Sequence, residues 1–300
     1  MRIIALFISV LILVAVSCAT TQSGGGATAQ TGGRSGQTAG QGQSAGQAPR
    51  QRDSFKIKEL VFFADGAANG MLDEYIVFEW DPSFTNVVKE TRYSASDSVL
   101  EKIEYGYQGN NPATKITKKI VADDKGKEQE QVQTQVEYQY ERDRLQKETL
   151  KSAAGVIGSY YEYTYDAQGN RASRIWKNGK DAVMAETVYS YANGRLASAE
   201  TKSAGGNRIS SVAYQYDEQG KLVKQETRGA DGKISSVLTA VWQNGLEAKH
   251  ELIGADNTPQ QRETNEYNPA GDLVKKTIEN VQGKSTRIIQ YEYTGKTSGR

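Results

Sequence analysis

The 300-residue chain has one cysteine and one histidine. A single cysteine closes no internal disulfide, and a zinc site assembled from several cysteines and histidines is excluded. Charge of one sign is missing too: 37 Lys and Arg stand against 36 Asp and Glu, for a net charge of +1. That balance argues against a general nucleic-acid binder, whose affinity comes from neutralising phosphates. Hydrophobic residues make up 37%, below the ~45–50% of an ordinary globular domain. Phenylalanine is scarce at 6, whereas tyrosine reaches 17. There is no P-loop, no G-x-G-x-x-G between strand and helix, and no G-x-S-x-G elbow. His250, in LEAKHELI, has no nucleophile context and reads as an exposed strand residue. Asp123-Asp124, Asp231-Gly232 and Asp256-Asn257 read as turn chemistry rather than calcium ligands. No enzyme, cofactor or metal site is expected.

The one long apolar run lies at the N-terminus, MRIIALFISVLILVAVSC. Ile3 to Val16 span 14 residues, short of the ~20 of a transmembrane helix and suited to the h-region of a secretory signal. Ala15 and Ser17 lead into Cys18, the only cysteine. This segment resembles the lipobox of bacterial lipoproteins. The resemblance implies cleavage after residue 17 and a diacylglyceryl, often further acylated, Cys18. Ala15 stands where the usual pattern has Leu; lipoboxes of spirochaetes are this loose. Cleavage as an ordinary signal, after Ser17 or Ala19, and retention as an uncleaved anchor are the alternatives. Two or three acyl chains would give stable anchoring where one is marginal. The expected address is the cell envelope, on the outer membrane.

Residues 18–52 follow as the anchoring cysteine and a Gly/Gln/Ser tract with no aliphatic residue larger than Ala and no aromatic. Such a composition cannot offset the entropy of ordering and reads as a flexible tether. Its root-mean-square span is roughly 30 Å.

From residue 53 to residue 300 the texture changes to alternating aromatic, β-branched and polar residues. Aromatic anchors recur at Tyr140, Tyr165, Tyr191, Tyr216, Trp242, Tyr267 and Tyr293, at spacings of 25 or 26 residues. A fixed period over seven anchors signals a repeat architecture. Tyr105-Gly-Tyr107 and Phe78-Glu-Trp80 read as degenerate copies. Two turn signals fall in each period. Asn193-Gly194 and Asn244-Gly245 match two-residue type I′ hairpins, and DAQG and DEQG match three-residue loops with a left-handed glycine. The second series sits at Asn178-Gly179, Gly205-Gly206, Asp231-Gly232 and Gln282-Gly283. Each repeat is therefore one hairpin, and the chain an all-β antiparallel meander of about 16–18 strands without helix.

The loop lengths place Tyr191 opposite Leu196, Tyr216 opposite Leu222 and Tyr267 opposite Leu273. Alternation puts Tyr163 with Tyr165, Tyr189 with Tyr191 and Tyr214 with Tyr216 on one face. With Trp242 and Tyr267 they make an aromatic ladder, the candidate binding surface. On strict alternation that face also carries Val212, Leu222, Lys224 and Glu226, a mixture unsuited to a lipid-facing barrel wall. YTYDAQGNR and YQYDEQGKL resemble the YD (RHS) repeats of secreted and cell-surface proteins. The likeness covers residues 130–295 well and 53–130 poorly, with a longer period than the family's. It implies a long meandering sheet, curled or single-layered, and says little about chemistry; a 51-residue, four-strand unit would instead suit a β-propeller. The expected function is a non-catalytic structural or binding module, its partner a glycan chain or an extended protein. The second reading is a periplasmic accessory of an envelope assembly or secretion complex.

Overall fold

The computed structural model describes residues 54–65, 70–124 and 126–295. The signal segment, Cys18 and the 18–52 tract lie outside the described residues. Ser54–Arg300 forms its own compact unit.

Eighteen strands follow one another along the chain. The first six are β1 (Ser54–Asp65), β2 (Glu74–Trp80), β3 (Val87–Ser94), β4 (Val99–Gln108), β5 (Asn111–Ala122) and β6 (Glu128–Glu141). The next six are β7 (Arg144–Ser152), β8 (Ile157–Tyr165), β9 (Arg171–Asn178), β10 (Val183–Ala192), β11 (Arg195–Ser203) and β12 (Arg208–Tyr216). The last are β13 (Leu222–Arg228), β14 (Ile234–Gln243), β15 (Leu246–Gly254), β16 (Pro259–Tyr267), β17 (Leu273–Asn280) and β18 (Ser285–Gly295). No helix occurs among the described residues.

Every strand pairs antiparallel with its neighbours in sequence, and β1 also pairs with β18, for example Lys56↔Tyr293 and Val61↔Ile289. The meander is thus a closed 18-stranded barrel. Neither the expected curled or single-layer sheet nor its alternative, the propeller, occurs, because the first and last strands satisfy each other's edges. An open sheet this wide would leave two rows of unpaired backbone groups; closure removes both. With ~4.8 Å between strands and a tilt of ~40°, the perimeter is about 110 Å.

The turns follow the sequence at one rim. Asn193 and Gly194, and Asn244 and Gly245, all have φ between 52° and 79°, the type I′ geometry. Gly169, Gly220 and Gly271 are left-handed at 82–88°, and Gly220 N–H donates to the Asp217 carbonyl. At the other rim the signals shift. Asn178-Gly179 is not a type I′ turn: Asp181 takes the left-handed position at 63°. Gly179 is instead needed for close approach, since a Cβ there would lie 2.1 Å from the Ile157 carbonyl oxygen. Likewise Lys284, not Gly283, is left-handed. Asp123 and Asp256 accept hydrogen bonds from Lys127 N–H and Thr258 N–H within their own turns.

The expected pairs Tyr191↔Leu196, Tyr216↔Leu222 and Tyr267↔Leu273 are present. A bulge follows each one. On β13 Val223 is skipped, so Gln225 faces Tyr214 and Thr227 faces Val212, while Lys224 and Glu226 oppose Gln215 and Ala213. The strict alternation that put Lys224 and Glu226 on the aromatic face is therefore wrong; the bulge turns them to the other face.

Two chemically distinct faces result. One carries fourteen of the seventeen tyrosines, all but Tyr75, Tyr93 and Tyr160, and most buried residues: Val61, Phe78, Tyr163, Ala185, Ala199 and Ile289, with Thr187, Gln225 and Glu263. The other carries cross-strand ion pairs, among them Lys89–Glu79, Lys118–Glu104, Lys177–Glu162, Arg262–Glu251 and Lys275–Glu266.

Candidate functional site: the aromatic clasps, the far rim and the His250 cluster

The anchor aromatics all end even-numbered strands, so the meander gathers them at one rim. There each reaches over the neighbouring strand to a backbone carbonyl. The phenols of Tyr107, Tyr165, Tyr191, Tyr216, Tyr267 and Tyr293 donate to the carbonyls of Val87, Leu145, Arg171, Leu196, Glu247 and Leu273 at 2.7–3.1 Å. Trp242 Nε1–H donates to the Leu222 carbonyl at 2.8 Å. In all seven the acceptor lies 20 residues earlier.

The acceptor is usually the residue that faces the preceding anchor. Leu196 pairs with Tyr191 and accepts from Tyr216; Leu222 pairs with Tyr216 and accepts from Trp242. Across the seam Tyr293 pairs with Lys56, whose carbonyl accepts from Trp80 Nε1–H at 2.8 Å. Tyr140 holds the same register opposite Leu145. The clasps therefore run round the rim and through the closure. Trp80 and Tyr107, which the sequence presents as degenerate copies, are full members.

The other ladder residues lie one pleat further in. Tyr163 is buried, and its phenol donates to Glu148 Oε2 at 2.9 Å. Tyr105 repeats this with Glu90 Oε1 at 2.8 Å. Burial, reinforced by these carboxylates, pushes both phenols far above their ordinary range. Tyr138 is pushed up to about 12, first by burial and then by Glu148. Tyr189 and Tyr214 stand opposite Ala199 and Gln225. The ladder Tyr163, Tyr165, Tyr189, Tyr191, Tyr214, Tyr216, Trp242 and Tyr267 thus lies on one face as expected. The polar ends of Tyr163 and of the five anchors in it, from Tyr165 to Tyr267, bond within the protein.

The opposite rim has a different chemistry. Eleven of the thirteen exposed large hydrophobic side chains among the described residues lie there, at strand ends or in turns. Seven form an arc over β7 to β14: Leu150, Val156, Ile157, Val183, Met184, Ile209 and Ile234, with Val156 65% exposed. Periodicity does not reveal this arc, because these residues lie at strand ends and turns, where the alternation breaks off.

His250 is not the exposed strand residue expected from its charged neighbours. Its side chain is 13% exposed on the aromatic face, between Glu247 of the same strand and Glu263 of β16. The bulge at Val241/Trp242 brings Glu247 onto this face.

No family model matches the chain, and no curated protein matches it. Partial structural likeness extends to a porin-like protein from Bacteroides uniformis ATCC 8492, with 12% identity, 80% of this chain, 98% of that chain and TM-score 0.42. TcdB2-TccC3 is similar over 74% of this chain and 15% of its own length, at 11% identity and TM-score 0.30. A putative outer membrane lipoprotein-sorting protein domain from Vibrio parahaemolyticus is similar at 9% identity over 82% of this chain and 86% of that chain, with TM-score 0.25.

Proposed function

We propose that this chain is an envelope lipoprotein, anchored through Cys18, whose barrel is a non-catalytic module that holds another envelope protein at its far rim. The observation that carries this reading is the charge on both faces of the wall. One face bears Lys–Glu ladders, and the other bears Glu90, Glu148, Arg174, His250, Glu263 and Lys276 between its aromatics. A Lys or Arg on the lipid face costs about 2–4 kcal/mol at the bilayer midplane. The wall is thus suited to water, and a separate anchor supplies the membrane. The apolar run Ile3 to Val16 followed by Cys18 is the sequence feature that provides one.

The exposed aliphatic arc supports the choice of rim: seven large apolar side chains from Leu150 to Ile234 face solvent there. Charges of both signs flank those aliphatics in and beside the turns after β9, β11 and β13: Lys180 and Asp181, Arg208, and Asp231 with Lys233. This is a mixed apolar and polar margin of the kind a protein partner can pair. The aromatic ladder is the weaker candidate, and a glycan partner falls with it. Hydroxyls and an indole N–H committed to backbone carbonyls are packing devices.

The test has two parts. Mass spectrometry of the mature N-terminus should find diacylglyceryl-cysteine, and Cys18→Ser should move the chain from membrane to soluble fractions. A mature protein starting elsewhere, or retaining Met1, refutes the anchor. Photo-crosslinkers at Val156, Met184 and Ile234 should then capture one and the same envelope protein, while crosslinkers at the exposed clasp-rim positions Gln243 and Ala192 should not. Capture of lipid alone, or equal capture from both rims, refutes the docking arc.

A further inference from the structure

We infer that Glu247, His250 and Glu263 form a binding site for one divalent transition-metal ion such as Zn²⁺, on the aromatic face between β15 and β16. Ligand atoms of Glu247, His250 and Glu263 all lie within 4.8 Å of one another. Their arrangement separates ligands from supports.

His250 Nδ1 lies 2.8 Å from Glu247 Oε1. A carboxylate only accepts, so Nδ1 is the donor, and in the neutral ring Nε2 then carries the lone pair. This is the carboxylate–histidine arrangement that orients metal-binding imidazoles. Nε2 then faces Glu263 Oε2 at 3.6 Å, too far for a hydrogen bond. Two acceptors facing each other repel unless a cation lies between them. Two ligands bound at ~2.0–2.2 Å to one zinc ion stand roughly 3.3–3.6 Å apart at tetrahedral angles. The observed gap matches.

Glu263 is positioned for the same role. Its side chain is 8% exposed, and its other oxygen, Oε1, takes Lys276 Nζ at 2.5 Å. Lys276 therefore neutralises and fixes the carboxylate without occupying Oε2. Asn265, two residues on from Glu263, adds an independent observation. Its Nδ2 donates to the Glu247 carbonyl at 3.1 Å, which fixes the amide orientation. Its Oδ1 is buried with no hydrogen-bond partner among the described residues. Such an orphaned acceptor is costly, and the amide that carries it is hydrogen-bonded to the backbone of Glu247, a member of the cluster.

Accordingly His250 Nε2 and Glu263 Oε2 are the ligands, with Glu247 and Lys276 as positioning residues. Imidazole with oxygen donors suits zinc and its neighbours better than calcium or magnesium. The His250–Glu263 pair bridges two strands, so the ion would staple them.

Because His250 is the only histidine, its ring gives one unambiguous NMR signal in the full-length chain. Zn²⁺ titration should shift that signal at one equivalent and raise the melting temperature. His250→Ala and Glu263→Gln should abolish stoichiometric binding measured by calorimetry. Glu247→Gln, which keeps a hydrogen-bond acceptor, should weaken it by roughly 10–100-fold. Binding that persists in His250→Ala overturns the site. So does a wild-type His250 signal that Zn²⁺ leaves unmoved, a measurement needing no variant to fold. A neutral-pH imidazolium with both nitrogens protonated would show instead that the cluster is an ion pair only.

Discussion

Removing the clasp hydroxyls while keeping the rings isolates what holds the rim together. In Tyr191→Phe, Tyr216→Phe and Tyr267→Phe the phenyl ring still packs, so the lost quantity is one hydrogen bond each, at 3.1, 3.0 and 2.9 Å. A neutral hydrogen bond contributes about 0.5–1.5 kcal/mol net. For a domain of this size 1 kcal/mol moves the melting temperature by about 2–4 °C. Each single variant should therefore lower it by roughly 1–6 °C. Tyr267→Phe should cost least, because the Glu247 carbonyl also accepts Asn265 Nδ2–H and keeps a partner. The three anchors use three different acceptors. Contributions of such sites add, so the triple variant should melt roughly 3–18 °C lower. Thermal unfolding followed by circular dichroism in the β-sheet region measures this. A triple variant melting within about 1 °C of wild type would show that water replaces the hydroxyls at no loss, and that the ring is a geometric consequence of the repeat. A Tyr267→Phe effect larger than that of Tyr216→Phe would refute the shared-acceptor argument.

Alkaline stability follows from the buried phenols. Tyr138, held at about 12, and Tyr105, Tyr163 and Tyr291, also raised by burial, titrate near 10 when unfolded. A raised pKa adds stability that is fully present below pH ~10 and is lost as pH climbs toward the folded value. Denaturant midpoints should hold from neutral pH to about 10 and then fall; a midpoint still constant at pH ~11.5 would contradict the burial. Glycine substitutions should rank against φ alone. Gly194→Ala, left-handed but with open space around it, should cost about 1–2 kcal/mol. Gly179→Ala, at ordinary φ but 2.1 Å from the Ile157 carbonyl, should cost about 3 kcal/mol, both read from urea unfolding.

The sequence by itself determined the hairpins. A 25–26-residue aromatic period and Asn-Gly or Asp-x-x-Gly turns fix strand order and the partner of Tyr216, because these signals are local and each turn type, two-residue or three-residue, leaves one register open. Tyr191, Tyr216 and Tyr267 are legible for that reason. The far-rim turns were less so: at Asn178-Gly179 the left-handed position moved to Asp181, since Gly179 answers a neighbouring strand that the dipeptide does not mention.

Only the tertiary structure decided the rest. Closure depends on β1 meeting β18 across more than two hundred residues, a pairing no local pattern encodes. The bulge at Val223 sent Lys224 and Glu226 to the opposite face from Leu222, because one skipped residue reverses every side chain beyond it. The clasps at Trp80 and Tyr107 emerged once position on the rim, rather than spacing, defined a repeat. His250, Glu263, Asn265 and Lys276 are spread over three strands and meet only because antiparallel pairing sets His250 against Glu263 and Asn265 against Lys276. Their chemistry is a property of the sheet, in which residues far apart along the chain become neighbours about 5 Å apart.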